Sequence, residues 1–242
     1  DAARLEIRQE LHRHTTMQRW LSRTSSLFSV RTHRRNWTQR AGGLVEAELP
    51  ANPMLLLDEW LAAALKDGHI IERGFVLATS TPEEGPTART VVCRDVCEDS
   101  GSITFGTNPN SLKGRSLRDE PRCEAVFRWG TRQVRLRGTC AVDDDNTEEM
   151  FRTLPRAARV SLELLNPVGQ GNDVSEARHQ ELLNEVEASS SDPQAPPATF
   201  TAYRLTASTM EFYQSLREDF IVDRFLYVRD GAAWNPPLRL AG

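Results

Sequence analysis

The chain has 242 residues, 39% of them hydrophobic and 26% charged, with a formal net charge of −4. That length suits one large domain or two small ones, and the apolar content is enough for a buried core. The acidic balance argues against a general nucleic-acid binder, and no apolar run reaches the roughly 18 residues that a membrane-spanning helix needs.

Charge is unevenly spread. Residues 1–40 carry nine arginines against Asp1, Glu6 and Glu10, so residues 1–50 read as a basic arm, with a short helix at 3–13, ahead of a domain over 51–242. Met17–Trp37 is rich in Arg, Ser and Thr and free of acids, the composition of an organelle transit peptide. It follows an acid-containing start, however, and a basic arm on a cytoplasmic protein is the preferred reading. Cys93, Cys97, Cys123 and Cys140 lack tight metal spacing, and Cys97 apart they fall in apolar runs, so they are expected as reduced thiols.

Pro50 and Pro53 open a helix over Pro53–Lys66, where Leu56, Leu57, Trp60, Leu61 and Ala64 recur at helical spacing. Phe75–Thr81 and Thr87–Val96 read as two strands of a hairpin, and Ser102–Asn108 as a third strand. The turn Asn108-Pro109-Asn110-Ser111 ends on a good N-cap residue for a helix over Leu112–Asp119. Cys123–Trp129 and Thr131–Val142 form a further strand pair about Gly130. Helices are expected at 146–154, capped by Asn146 or Thr147, and at 175–188, with the Ser/Pro-rich 189–198 as an exposed, poorly ordered linker. Phe200–Leu205, Met210–Tyr213, Arg224–Arg229 and Ala232–Trp234 return to strand. Strands with short antiparallel connections predict a closed or nearly closed barrel in a mainly β chain with flanking helices, an α+β arrangement.

One stretch, Arg89–Gln133, concentrates polar donors. A turn feeding a helix N-terminus presents free N–H groups and the positive end of the helix dipole, which suits an anion. Thr107 and Ser111 add hydroxyls, Lys113 a charge, and Arg89 a second charge from the neighbouring strand. Spacing alone equally allows a capped surface helix with two solvated cations.

The sequence resembles the pyridoxamine 5′-phosphate oxidase family over residues 34–242. The likeness rests on Arg89-Thr90-Val91-Val92, Phe105-Gly106-Thr107-Asn108, Ser111-Leu112-Lys113, Glu120-Pro121-Arg122, Phe127-Arg128-Trp129 and Arg132-Gln133-Val134. It continues through Met210-Glu211-Phe212-Tyr213-Gln214, Asp223-Arg224-Phe225-Leu226-Tyr227 and Arg239-Leu240-Ala241, and it begins at Arg34-Arg35-Asn36-Trp37-Thr38. The resemblance implies an FMN-binding split β-barrel of six or more antiparallel strands, and a homodimer with FMN at its interface. It implies that Arg89 and Lys113 hold the FMN phosphate, assisted by Thr107 and Ser111, that Thr90, Val91 and Val92 line the cofactor, and that Gln133 lies against the isoalloxazine. Tyr213 and Arg224 are expected to approach from the partner chain. Leu112 and Gly106 stand where the family usually carries Arg and an aromatic residue.

The substrate half departs further. The family's phosphate ligands, a Lys, a Tyr, an Arg and a Ser, correspond to Arg94, Met150, Leu154 and Ala158, and its C-terminal Arg-x-His corresponds to Phe220-Ile221-Val222. Loss of several charged and polar groups predicts a large fall in affinity for a phosphorylated vitamer. The function expected from the resemblance is therefore an FMN-dependent oxidase that passes a hydride from a small apolar or aromatic substrate to flavin N5, with oxygen as acceptor. Alternatives are a pyridoxamine/pyridoxine 5′-phosphate oxidase and a non-catalytic flavin-binding protein, and a deazaflavin or haem is a possible replacement for FMN. No metal, nucleic-acid or membrane partner is expected: the five histidines form no ligand cluster, and Asp143-Asp144-Asp145 reads as a solvated turn.

Overall fold

A computed structural model describes residues 43–66, 73–83, 85–166, 171–215 and 221–241. The chain divides into two units, residues 1–35 and 36–242, and every described residue belongs to the second. The expected helix at 3–13 and the stretch Met17–Trp37 lie outside the described residues.

Asn52 starts the first helix, α1 (Pro53–Lys66): its Oδ1 accepts from the Met54 N–H at 3.0 Å, and Pro53 occupies the first turn, where a missing N–H costs nothing. Leu56, Leu57, Trp60 and Leu61 are buried, so the stripe read from the sequence is the face laid on the sheet. The sheet comprises β1 (Gly74–Thr81), β2 (Gly85–Val92), β3 (Asp95–Cys97), β4 (Ser102–Thr107), β5 (Arg122–Trp129), β6 (Arg132–Val142), β7 (Thr201–Gln214), β8 (Asp223–Asp230), β9 (Ala233–Trp234) and β10 (Leu238–Arg239). The main path runs β10-β8-β7-β6-β5-β1-β2, every pairing antiparallel.

The barrel splits at β7. Residues 201–206 of β7 pair with β4, whereas 209–214 pair with β8 on the same edge, and β6 covers the other edge along nearly the whole strand. Two strands expected at Phe200–Leu205 and Met210–Tyr213 are thus one, because both halves find partners. A register shift between Arg137 and Gly138 lets the strands change direction there. A Cβ on Gly138 would overlap the Thr206 carbonyl, so only glycine allows this approach. The strand expected over Thr87–Val96 breaks at Cys93 and Arg94, where the Arg94 N–H crosses to Thr104 O at 2.8 Å.

Inside, Phe75, Phe105, Phe127, Phe212, Phe225 and Tyr227 form an aromatic core. Trp60 meets Phe212 edge-on at 5.4 Å and Phe212 meets Tyr227 at 5.8 Å, the favourable T-shaped arrangement. Burial raises the pKa of the Tyr227 hydroxyl, which donates to Pro50 O at 3.0 Å. Leu44 also belongs to this core, so part of the segment read as arm packs on the barrel.

The remaining helices are α2 (Leu112–Asp119), α3 (Asp144–Arg152), α4 (Arg156–Leu165) and α5 (Glu176–Ala188). Helix α3 begins two residues before the expected start, and Asp143 precedes it with no side-chain cap bond. Asp143 instead pairs with Arg204 at 2.7 Å, so the acidic triplet is a helix start rather than a solvated turn. Helix α4, not among the elements expected from the sequence, follows Pro155, buries Val160 and packs Ala158 and Leu162 on the cluster around Met150. The 189–198 segment is largely exposed, but Arg156 donates to Ser189 O and Arg159 pairs with Asp192, which ties it to α4. Among the described residues no helix is long and apolar enough to cross a membrane, and no metal-ligating cluster occurs.

Candidate functional site

The turn before α2 is built by its own side chains. Asn108 Oδ1 accepts from the Asn110 N–H at 2.8 Å, Ser111 Oγ donates to Asn108 O at 2.7 Å, and Ser111 Oγ accepts from the Gly114 N–H at 3.3 Å. A Cβ on Gly114 would overlap Pro109 O, so glycine lets the helix start fold tightly against the turn. Thr107, Asn108, Ser111 and Lys113 are all buried there. Lys113 Nζ donates to Ser111 Oγ at 3.3 Å.

Arg89 faces the same side. Its registry partner is Leu77, and from there the row continues through Ala125, Leu136 and Met210, which are core residues. Its guanidinium donates to Thr79 Oγ1 at 2.9 Å, to Thr87 Oγ1 at 2.6 Å and to Leu77 O at 3.2 Å. Burial lowers the Arg89 pKa. Burial, and then the charge of Arg89, lowers that of Lys113. Two cations are therefore held in mutual repulsion beside a helix N-terminus and several hydroxyls. Chemically this is a receptor for a multiply charged anion such as a phosphate monoester. Thr79 and Thr87 are not evident from the sequence. Their only signal is the hairpin register, which sets Thr79 opposite Thr87 two residues from Arg89.

Gln133, Tyr213 and Arg224 make a second group. Gln133 pairs with Tyr213, and Tyr213 with Arg224, so the three stand in one row across β6, β7 and β8. This row lies on the face opposite the core, because the buried Val134 and Phe212 alternate with it. Arg224 Nη2 donates to Glu211 Oε2 at 3.1 Å, and Arg224 Nε is buried with no hydrogen-bond partner among the described residues. The structure thus brings Arg89, Thr107, Ser111 and Lys113 to one site and Gln133, Tyr213 and Arg224 to another, on opposite faces of the sheet. Val91 sits in the core, while Thr90 and Val92 point outward and are exposed.

A family profile described as pyridoxamine 5′-phosphate oxidase matches residues 64–185. A pyridoxine/pyridoxamine 5′-phosphate oxidase of Rubrobacter xylanophilus is 31% identical over 207 residues, covering 84% of this chain and 92% of the relative. One from Deinococcus deserti is 33% identical over 200 residues, covering 80% and 91%. The chain belongs to the pyridoxamine 5′-phosphate oxidase family. The fold agrees: PhzG from Burkholderia lata 383, solved with tetrahydrophenazine-1-carboxylic acid, superposes with a TM-score of 0.69 at 22% identity, over 81% of this chain and 96% of that one. A pyridoxamine 5′-phosphate oxidase-related, FMN-binding protein of Nostoc punctiforme gives 0.62 at 24% identity, over 76% and 96%. The split barrel expected from the sequence is the fold observed.

Where other members of the family are expected to carry polar substrate ligands, Met150 and Leu154 are buried in a small apolar cluster with Phe151, Phe200 and Ala202, and Ala158 packs against it. Phe200 explains Gly106. A Cβ there would come within 2.6 Å of the Phe200 ring, which covers Gly106 from just ahead of β7. Phe151 and Phe200 meet at 5.5 Å and close the cluster. Arg94 stands at the β2–β3 break beside Arg73, whose Nε donates to Cys93 O at 3.1 Å. Burial, then the charge of Arg73, lowers the Arg94 pKa, and burial pushes the Cys93 thiol up to about 12. Val222 is half-buried ahead of β8, and Phe220 lies outside the described residues.

Proposed function

We propose that this protein is an FMN-dependent oxidase acting on a small apolar or aromatic molecule, with dioxygen as the electron acceptor. The observation that carries the flavin reading is the Arg89–Lys113 pair: a buried lysine and a half-buried arginine that repel each other, with Ser111 and Thr107 alongside, match a phosphate monoester dianion. Arg224 Nε, without a partner among the described residues, is a second donor suited to an acceptor such as a flavin edge. The residues present therefore fit FMN.

FMN, when bound, supplies a two-electron acceptor for a hydride from a substrate carbon. The chain supplies the rest. Arg89, Lys113, Thr107 and Ser111 hold the phosphate, and Thr79 and Thr87 hold Arg89. Gln133, Tyr213 and Arg224 orient the ring and the substrate against it. Because the two groups lie on opposite faces of one sheet, a flavin touching both is shared between two protomers, and this supports a homodimer. The apolar packing of Met150, Leu154 and Ala158 offers no donor to a substrate phosphate, which favours an uncharged substrate.

The names of the relatives and the retained cation at Arg94 favour a second reading, oxidation of pyridoxamine or pyridoxine 5′-phosphate. Purified protein tests both. Uptake of FMN with absorbance near roughly 450 nm, bleached without air by an apolar amine or hydroaromatic compound and restored by air, supports the first reading. Production of pyridoxal phosphate at a comparable rate would replace it with the second. Flavin uptake without turnover on either panel would leave a binding protein, and failure to take up FMN would sink the flavin reading.

A further inference from the structure

Behind the Gln133–Tyr213–Arg224 row, the outer face of the barrel carries an alternating ladder of charges that no step proposed above uses. Glu124 Oε1 accepts from Arg135 Nε at 2.5 Å, and Glu124 Oε2 accepts from Arg137 Nη2 at 3.2 Å. Arg135 Nη1 reaches Glu211 Oε1 at 3.5 Å, and Glu211 Oε2 accepts from Arg224 Nη2 at 3.1 Å. The order Arg137–Glu124–Arg135–Glu211–Arg224 crosses β5, β6, β7 and β8. Arg135 and Glu211 are direct cross-strand partners, and Glu211 reaches diagonally to Arg224.

Each carboxylate is shared by two guanidiniums, so the ladder ends on a cation at both sides. The Arg137 end is solvated, with 64% of its side chain exposed. The Arg224 end is not: its side chain is 34% exposed, its Nε is buried, and the Glu211 side chain is 12% exposed. The exposed Arg137 contact contributes little to stability, whereas the part-buried inner pairs form a network that also braces the sheet. Beyond bracing, the network has a geometric effect. A planar guanidinium gripped at one Nη by a carboxylate, itself gripped from behind, has few orientations left.

We infer that Glu211, held by Arg135, is a positioning residue that aims the Arg224 guanidinium at the flavin. This rests on the flavin reading above. Glu211 touches neither flavin nor substrate; it acts through Arg224 and leaves that arginine half-compensated, with charge to spare for an electron-rich ring edge.

The test is titration of the full-length protein, freed of flavin, with FMN, read by flavin fluorescence and by the visible spectrum of the bound ring. Glu211→Ala is expected to weaken FMN by about tenfold and to change the bound spectrum, as Arg224→Ala does. The double variant should lose no more than Arg224→Ala alone, and Glu211→Asp should recover part of the loss. Should Glu211→Ala not fold, Glu211→Gln keeps the volume and carries the same expectation. Wild-type affinity and spectrum in the Glu211 variants, or losses that simply add, would overturn the inference while leaving the flavin reading intact. Wild-type protein that takes up no FMN overturns the flavin reading itself, and this inference falls with it.

Discussion

The Lys113 ammonium is buried beside the Arg89 guanidinium, and burial and that like charge hold its pKa below the usual lysine value of 10.5. In the ligand-free protein the unfolded chain therefore binds this proton more tightly than the folded one. Stability should rise with pH through the interval between the lowered pKa and 10.5, and the cost is fully present at neutral pH. Lys113→Met is expected to maintain or raise the urea midpoint of the flavin-free protein at neutral pH and to abolish that alkaline gain. The same change should weaken FMN by roughly tenfold to a hundredfold, as expected for one charge-assisted phosphate contact. Urea melts across pH, set beside FMN titrations, separate a ligand-binding cation from one that merely stabilises the fold.

At the level of elements, two close approaches bear the geometry. Strand β7 changes partners beside Gly138, where a Cβ would overlap the Thr206 carbonyl. Gly138→Ala should destabilise the protein by about 1–3 kcal/mol, read as a lower urea midpoint. The cluster between α3 and β7 is the second. Phe200 covers Gly106 and meets Phe151, so Phe200→Ala should cost about 3–5 kcal/mol by opening a cavity. Replacing Gly106 by Phe in that variant refills the space from the other strand and is expected to recover part of the loss in the same melts. Leu154→Arg, which would reinstate a phosphate ligand, places an unpaired charge in this cluster and should lower stability rather than create a working site.

For the whole molecule, the division of the site between two faces makes a prediction that no single-chain arrangement shares. Arg89→Ala damages the phosphate half and Arg224→Ala the ring half. Subunits of the two variants, unfolded together and refolded, should form hybrid dimers in which one site carries both lesions and the other none. With random pairing, about a quarter of all sites are intact, so FMN binding should return to about a quarter of the wild-type amplitude. Were both halves of a site to come from one chain, every site in the mixture would carry one lesion and nothing would return. Titration of the mixture with FMN distinguishes the two.

Much of this protein was legible in the chain itself. Helix α1 and α2 fall where the apolar stripe and the Ser111 cap put them, and the hairpin strands follow their alternation, because these signals are local. The family motifs marked Arg89, Ser111, Lys113, Gln133, Tyr213 and Arg224 one by one. Tertiary structure decided what the chain order does not encode. It made one strand of Thr201–Gln214, because β4, β6 and β8 all satisfy its edges. It laid 189–198 against α4 through Arg156 and Arg159, and it filled the space over Gly106 with a ring from nearly a hundred residues away. It also separated the marked residues into a core-facing anion cradle and an outward row backed by Glu211. A strand residue's face follows from its pairing register, and register is set between strands distant in sequence, where no local pattern reaches.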